Sequence, residues 1–184
     1  PQAKWLRQNT EIFFVPVMDV DHVSTGDGGK HARPQDHNLN WSDKPHWPEI
    51  AAAQKRILGL AKEGRMNVFL DLHNPAPGNK QQTAYVIEKE YMPEKAEPRK
   101  LRFVELMIEE FGGLEQNPAK PPVENPDLFN RVSVPWVLQH ANPNTIAFCI
   151  ETPWNTPPST PEGYAVVGQK LGSAVEKLLR EEKR

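Results

Sequence analysis

A short apolar run that ends in Asp-x-His constrains this chain more than any other stretch. Residues 67–74 read Asn67-Val68-Phe69-Leu70-Asp71-Leu72-His73-Asn74, with turn-forming residues on both flanks. A run of this length predicts a fully buried strand of a parallel sheet. In open α/β sheets, ligands gather just beyond the carboxyl ends of the strands. His73 is therefore carried to the place where chemistry is done, with Asp71 two residues back on the same strand face. A histidine at a strand end is also a common hydrogen-bonded structural residue. The motif by itself leaves both readings open.

The chain around this run alternates as an α/β domain does. Residues 1–8 read as the tail of a helix. Residues 11–18, Glu11-Ile12-Phe13-Phe14-Val15-Pro16-Val17-Met18, are rich in β-formers and predict a first strand, with Pro16 leaving a gap in its ladder. A long polar loop runs from 19 to 48, and a structureless loop of that size in a compact domain is usually functional. Pro48-Glu49 then opens a helix with an apolar stripe of Ile50, Ala53, Ile57, Leu60 and Ala61, stopped by Gly64. Strand, helical crossover, strand is the βαβ pattern of a parallel sheet. Residues 84–88 suggest a short strand. Residues 98–111 suggest an amphipathic helix through Leu101, Val104, Ile108 and Phe111, closed by Gly112-Gly113. Residues 130–140 fit either a short helix or an extended segment. Residues 145–151 predict a second buried strand that ends in an acid. The last helix starts near Pro161-Glu162 and runs along Tyr164, Val167, Leu171, Val175 and Leu178. The class is α/β, a mostly parallel mixed sheet flanked by helices.

A length of 184 residues suits one domain, 1–184, with a core of its own. The formal net charge of −2 offers no polyanion-binding signature, and no Lys/Arg cluster interleaves with aromatics, so no nucleic-acid partner is expected. The single cysteine, Cys149, has no internal disulfide partner, which leaves the compartment undecided. It lies in an apolar run and reads as an inert buried residue rather than a nucleophile. No run approaches membrane-spanning length and nothing resembles a signal peptide. A start at Pro1 without Met reads as a processed product or a fragment. The 19 prolines gather in loops near 117–126 and 153–161, marking long ordered excursions.

Two strands thus end in groups capable of chemistry, His73 and Glu151. A carboxylate in Phe148-Cys149-Ile150-Glu151-Thr152-Pro153-Trp154 is costly to bury unless it is paired or active, and a semi-buried Glu is a usual form of a general base. The alternative is a Glu that ties down the loop after it. The loop 19–41 carries Lys30, His31, Arg33, Asn38 and Asn40, a donor set able to hold an anionic or amide-rich substrate. It also reads as a solvated Gly/Asp turn region able to bind a cation through its Asp side chains, although its spacing does not fit a helix-loop-helix calcium site. His22, His31, His37 and His140 are expected to be solvated or bonded to backbone. Trp136 and Trp154 read as walls of a pocket or caps on the core.

The order Asp19-Val20-Asp21-His22, Gly29-Lys30, Arg33-Pro34, Asp36-His37-Asn38-Leu39-Asn40-Trp41, Asp71-Leu72-His73 and Ile150-Glu151-Thr152 resembles the zinc carboxypeptidase (funnelin) family, in its bacterial metallocarboxypeptidase-like branch. The resemblance covers most of the chain and implies the C-terminal part of that catalytic domain. It implies zinc as cofactor and a peptide or related amide as substrate, hydrolysed by metal-activated water. His73 would be a zinc ligand, Glu151 the general base and Arg33 the group that stabilises the oxyanion, with Asn38 and Lys30 on the substrate. The family's His-x-x-Glu ligand pair lies upstream of the strand at 11–18, where this chain has ten residues. The pattern His46-Trp47-Pro48-Glu49 occurs downstream instead, and Glu49 there is explained as a first-turn acid. Leu39 stands where the family has the Arg that grips a substrate carboxylate, which leaves an amidase, a deacylase or a peptidase with different end recognition as open as a carboxypeptidase. A binding module that keeps the fold without a complete metal site is the alternative from another class.

Overall fold

A computed structural model describes residues 2–27 and 32–183. The elements run in the order α1 (Gln2–Asn9), α2 (Val20–Thr25), α3 (Pro48–Lys62), β1 (Val68–His73), β2 (Thr83–Ile87), α4 (Glu97–Phe111), β3 (Glu115–Ala119), α5 (Asp127–Asn130), α6 (Ser133–His140), β4 (Ile146–Glu151) and α7 (Pro161–Glu181), with short 3-10 turns between some of them. The four strands form one sheet in the order β1-β4-β2-β3. β1 and β4 are parallel, β2 and β3 are parallel, and β2 runs antiparallel to β4. The expected mixed α/β class is what the chain adopts.

The two faces of the sheet follow from the alternation of side chains along a strand. Ile146, Phe148 and Ile150 of β4, with Val68 and Leu70 of β1, pack against α4 and α7 through Phe103, Leu106, Met107, Ala174 and Leu178. Ala147 and Cys149 of β4, with Phe69 of β1, face the other way, toward Trp41, Ile57 of α3 and Val137 of α6. The same alternation puts Asp71, His73 and Glu151 on this second face. Burying a residue such as Phe148 contributes roughly 1.5–3 kcal/mol.

Five expectations need correction. The apolar residues 11–18 are not a strand, because a ladder needs a partner and β1 is left as an edge without one. Ile12, Phe14 and Val15 are 66%, 74% and 58% exposed. The segment is held to α3 by Arg56, which meets Glu11 and lies over the Phe13 ring, and to the turn after α3 by the Glu11–Arg65 ion pair. β1 is half-buried rather than fully buried, with Leu72 exposed, because it is an edge strand that pairs with β4 alone among the described strands. In α4 the buried face is Lys100, Phe103, Val104, Leu106 and Met107, so the stripe is rotated from the expected one and Leu101 and Ile108 face outward. In α7 the buried line is Leu171, Ala174 and Leu178, with Tyr164 turned out. Pro118 falls inside β3, a strand not foreseen. β3 bonds only to β2, and an edge strand tolerates a missing donor.

The rotated face of α4 is directly measurable. Phe103→Ala should lower unfolding free energy by about 3–5 kcal/mol in a denaturant titration. Leu101→Ser, at an outward position, should stay within about 0.5 kcal/mol of wild type. A large loss at Leu101 would restore the original stripe.

Candidate functional site

β1 and β4 end side by side. Their register sets Asp71 opposite Cys149 and His73 opposite Glu151. The loops beyond are stitched together: Thr152 N donates to His73 O at 2.9 Å, Asn74 Nδ2 to Thr152 O at 2.7 Å, and Gln82 Nε2 to Glu151 O at 3.1 Å. The strand ends are therefore held as one rim.

His73 Nδ1 lies 3.0 Å from Asp71 Oδ1 and 3.6 Å from Cys149 Sγ. Asp71 Oδ2 in turn accepts from Ser133 Oγ at the start of α6. The Asp71 hydrogen bond, followed by that of Cys149, pushes the His73 imidazole up to about 10 against the drag of burial. Burial pushes the half-buried Cys149 thiol up despite His73 beside it, which disfavours the thiolate. Asp71 and Cys149 both address the same ring nitrogen, so they do not form a nucleophile–base–orienter relay, which needs opposite nitrogens. The arrangement leaves His73 Nε2 as the atom available to a ligand, with a carboxylate orienting the ring from behind.

Tyr85 joins this face. It pairs with Cys149 across β2 and β4, and its hydroxyl is pushed up by burial and then by the charge of Glu151. Tyr85 carries no signal in the sequence beyond its strand propensity. Only the antiparallel register brings it near Glu151.

The donor-rich loop is more ordered than expected. α2 and a single turn at His37–Leu39 interrupt it, with Asp36 Oδ1 capping the turn through Leu39 N at 2.8 Å. Asn40 is buried and its Oδ1 accepts from Trp47 N at 2.9 Å. Arg33 is exposed and Asn38 half-buried, and among the described residues no hydrogen bond or ion pair joins either one to His73 or Glu151. Lys30 and His31 lie outside the described residues. Trp136 is a buried core residue, stacked on His140, while Trp154 is 46% exposed and donates to Pro75 O. His140 Nδ1 meets Trp136 O at 2.8 Å, the backbone bond expected of it.

His22 and His37 depart from expectation. His22 Nδ1 lies 2.7 Å from Asp19 Oδ1, which also accepts the His22 amide at 3.1 Å. Burial works to raise the Asp19 carboxyl, but these bonds and the charge of His37 outweigh it and hold the group below its ordinary value. The Asp19 hydrogen bond raises the His22 imidazole. His37 is 9% exposed, with Nε2 at 2.5 Å from Glu49 Oε1 and its ring stacked on Trp47 at 4.5 Å. Glu49 is thus more than a first-turn acid. Asp19, His22 and His37 form the group of three ligand-type side chains whose ligand atoms lie within 4.8 Å of one another among the described residues. His73 has no such companions there.

No family model matches the chain, and no curated protein matches it. Among solved structures it is similar to a metallo-carboxypeptidase from Pseudomonas aeruginosa in complex with (2-guanidinoethylmercapto)succinic acid, at a TM-score of 0.55 and 22% identity. The match covers 80% of this chain and 40% of that one, so this chain spans less than half the length of that enzyme. The likeness is one of fold. The sheet and its flanking helices are carboxypeptidase-like.

The His73–Asp71 pair makes a pH prediction. In metal-free protein the His73 ring should titrate near 10 rather than 6.5 when followed by NMR. Because the folded value is raised, the stability this pair contributes is complete below about pH 6.5 and is lost as pH climbs toward the folded value. Asp71→Asn should bring the midpoint down, because the hydrogen bond of Asp71 is the largest cause of the rise. A wild-type midpoint near 6.5 would mean the pair does not form.

Proposed function

We propose that this chain carries part of the reaction face of a metal-dependent hydrolase that cleaves a peptide or related amide bond. The observation that supports the reading most is the placement of His73 and Glu151 opposite each other at the carboxyl ends of β1 and β4. The carboxypeptidase-like fold is consistent with it. Zinc, when bound with His73 among its ligands, would lower the pKa of a water and polarise the scissile carbonyl. A catalytic zinc takes about three protein ligands. Among the described residues no group of three ligand atoms within 4.8 Å of one another forms around His73, so that set is not complete here. The roles assigned here are therefore those of the chain's own side chains. Asp71 orients the His73 ring. Glu151 takes the proton of the attacking water and returns it to the leaving amine. Arg33 stabilises the negative charge that develops on the carbonyl oxygen, while Asn38 and Lys30 hold the substrate. Tyr85, on the same sheet face as Glu151, would donate to the substrate. Leu39 leaves no guanidinium for a free C-terminus, so blocked peptides and acyl amides are substrates on equal terms.

The incomplete ligand set at His73 favours one second reading, a module that binds such peptides without cleaving them. Assay with zinc against free, amidated and N-acylated peptides separates the two. For the hydrolase, Glu151→Gln should lower the rate by about 10²–10⁴-fold with little change in peptide affinity. Peptide binding with no metal-dependent turnover would establish the binding module instead, and turnover that survives Glu151→Gln would remove Glu151 as the base.

A further inference from the structure

The geometry points to a divalent transition-metal site of zinc type built from Asp19, His22 and His37, with Glu49 orienting His37 from outside the coordination sphere. This site uses none of the residues assigned above to hydrolysis, and it stands or falls independently of that reading.

Two buried polar atoms carry the inference. Asp19 Oδ2 and His37 Nδ1 are both buried and both without a hydrogen-bond partner. They nevertheless face each other at 3.3 Å. A buried polar atom without a partner is costly, and two facing each other call for something between them. Glu49 Oε1 at 2.5 Å occupies Nε2 of His37. In the neutral ring, a carboxylate there holds the one proton on Nε2 and turns the lone pair of Nδ1 toward the carboxylate oxygen of Asp19. Two lone pairs so placed repel, and either a second ring proton or a metal cation relieves them.

The dimensions fit that cation. Zinc sits about 2.0–2.2 Å from imidazole nitrogen and carboxylate oxygen, so neighbouring ligands on a tetrahedral ion are about 3.3–3.5 Å apart. The Asp19–His37 separation already matches. His22 brings the third ligand atom within 4.8 Å of the other two, on α2, a six-residue helix with no buried residue. Two imidazoles and a carboxylate are ligands that suit zinc and its first-row neighbours rather than calcium or magnesium, which prefer all-oxygen sets. The Glu49–His37–metal order is the common carboxylate–histidine–metal arrangement. Trp47, stacked on the His37 ring at 4.5 Å and at 11° between planes, holds that ring in place. A metal here would clip the loop that follows residue 18 to the first turn of α3.

Zinc titration of the dialysed 184-residue chain, in competition with a chromophoric chelator, tests the site. One zinc per chain is expected, with melting temperature rising as zinc is added. His22→Ala and Asp19→Asn should each weaken binding at least 10-fold, and Glu49→Gln about 10–100-fold. Circular dichroism identifies any variant that fails to fold, and His22, half-exposed on α2, is the safest of the four to replace. In the wild-type chain, NMR should show zinc shifting the rings of His22 and His37, with His37 retaining its proton on Nε2. His73→Asn should leave this zinc bound. The inference is overturned if no zinc binds, which would leave a proton rather than a metal between Asp19 and His37. It is equally overturned if binding is indifferent to His22→Ala and Asp19→Asn. Zinc lost with His73→Asn alone would place the metal at the β1 end and support the hydrolase reading instead.

Discussion

The proposed reaction face depends on the parallel pairing of β1 with β4. That ladder sets His73 level with Glu151 and Asp71 level with Cys149, although the partners lie about eighty residues apart in sequence. The pairing holds because alternate side chains of β4 are buried on both sides. Phe148 and Ile150 enter the layer of α4 and α7, while Ala147 enters the layer of α3 and α6. A slip of one residue would exchange the two sets. Polar groups would then enter the α4–α7 core, and His73 and Glu151 would leave the face they share.

The second face is where polar chemistry collects, and it is supported from several elements at once. α6 begins with Ser133, which reaches Asp71. β2 brings Tyr85 toward Glu151 from the opposite side. The loop before α3 is pinned by buried Asn40 and Trp41, and Trp41 packs on Phe69 and Trp136. The Asp19–His37–Glu49 group is thus attached to the same layer as the strand ends, through side chains that are themselves buried. Such support lets a long polar loop hold a fixed donor arrangement without regular secondary structure.

Much of this was legible in the sequence. The Asp71-x-His73 strand end, the acid at the end of β4, the Pro48-Glu49 start of α3 and the glycine after α4 are local signals, written by strand alternation, capping preference and the left-handed conformation of Gly112. Residues 11–18 carried an equally strong local signal and form no strand, because β propensity describes a side chain suited to a pleated surface and cannot supply the neighbouring ladder. The stripe of α4 was misread for a related reason. Leu101 and Ile108 fit a helical period as well as Phe103 and Met107 do, and only the position of α7 decides which row is covered.

The sequence by itself determined the α/β class, most element positions and the two strand ends that bear His73 and Glu151, since these depend on interactions between residues close in the chain. Tertiary structure alone decided that Tyr85 pairs with Cys149 on the face that bears Glu151, that Cys149 sits beside His73 and that His37 lies between Asp19 and Glu49. Those three facts rest on contacts across strands and loops. A histidine in a polar loop reads as solvated until folding removes the water around it. Here it left Asp19 Oδ2 and His37 Nδ1 buried and facing each other without a hydrogen bond.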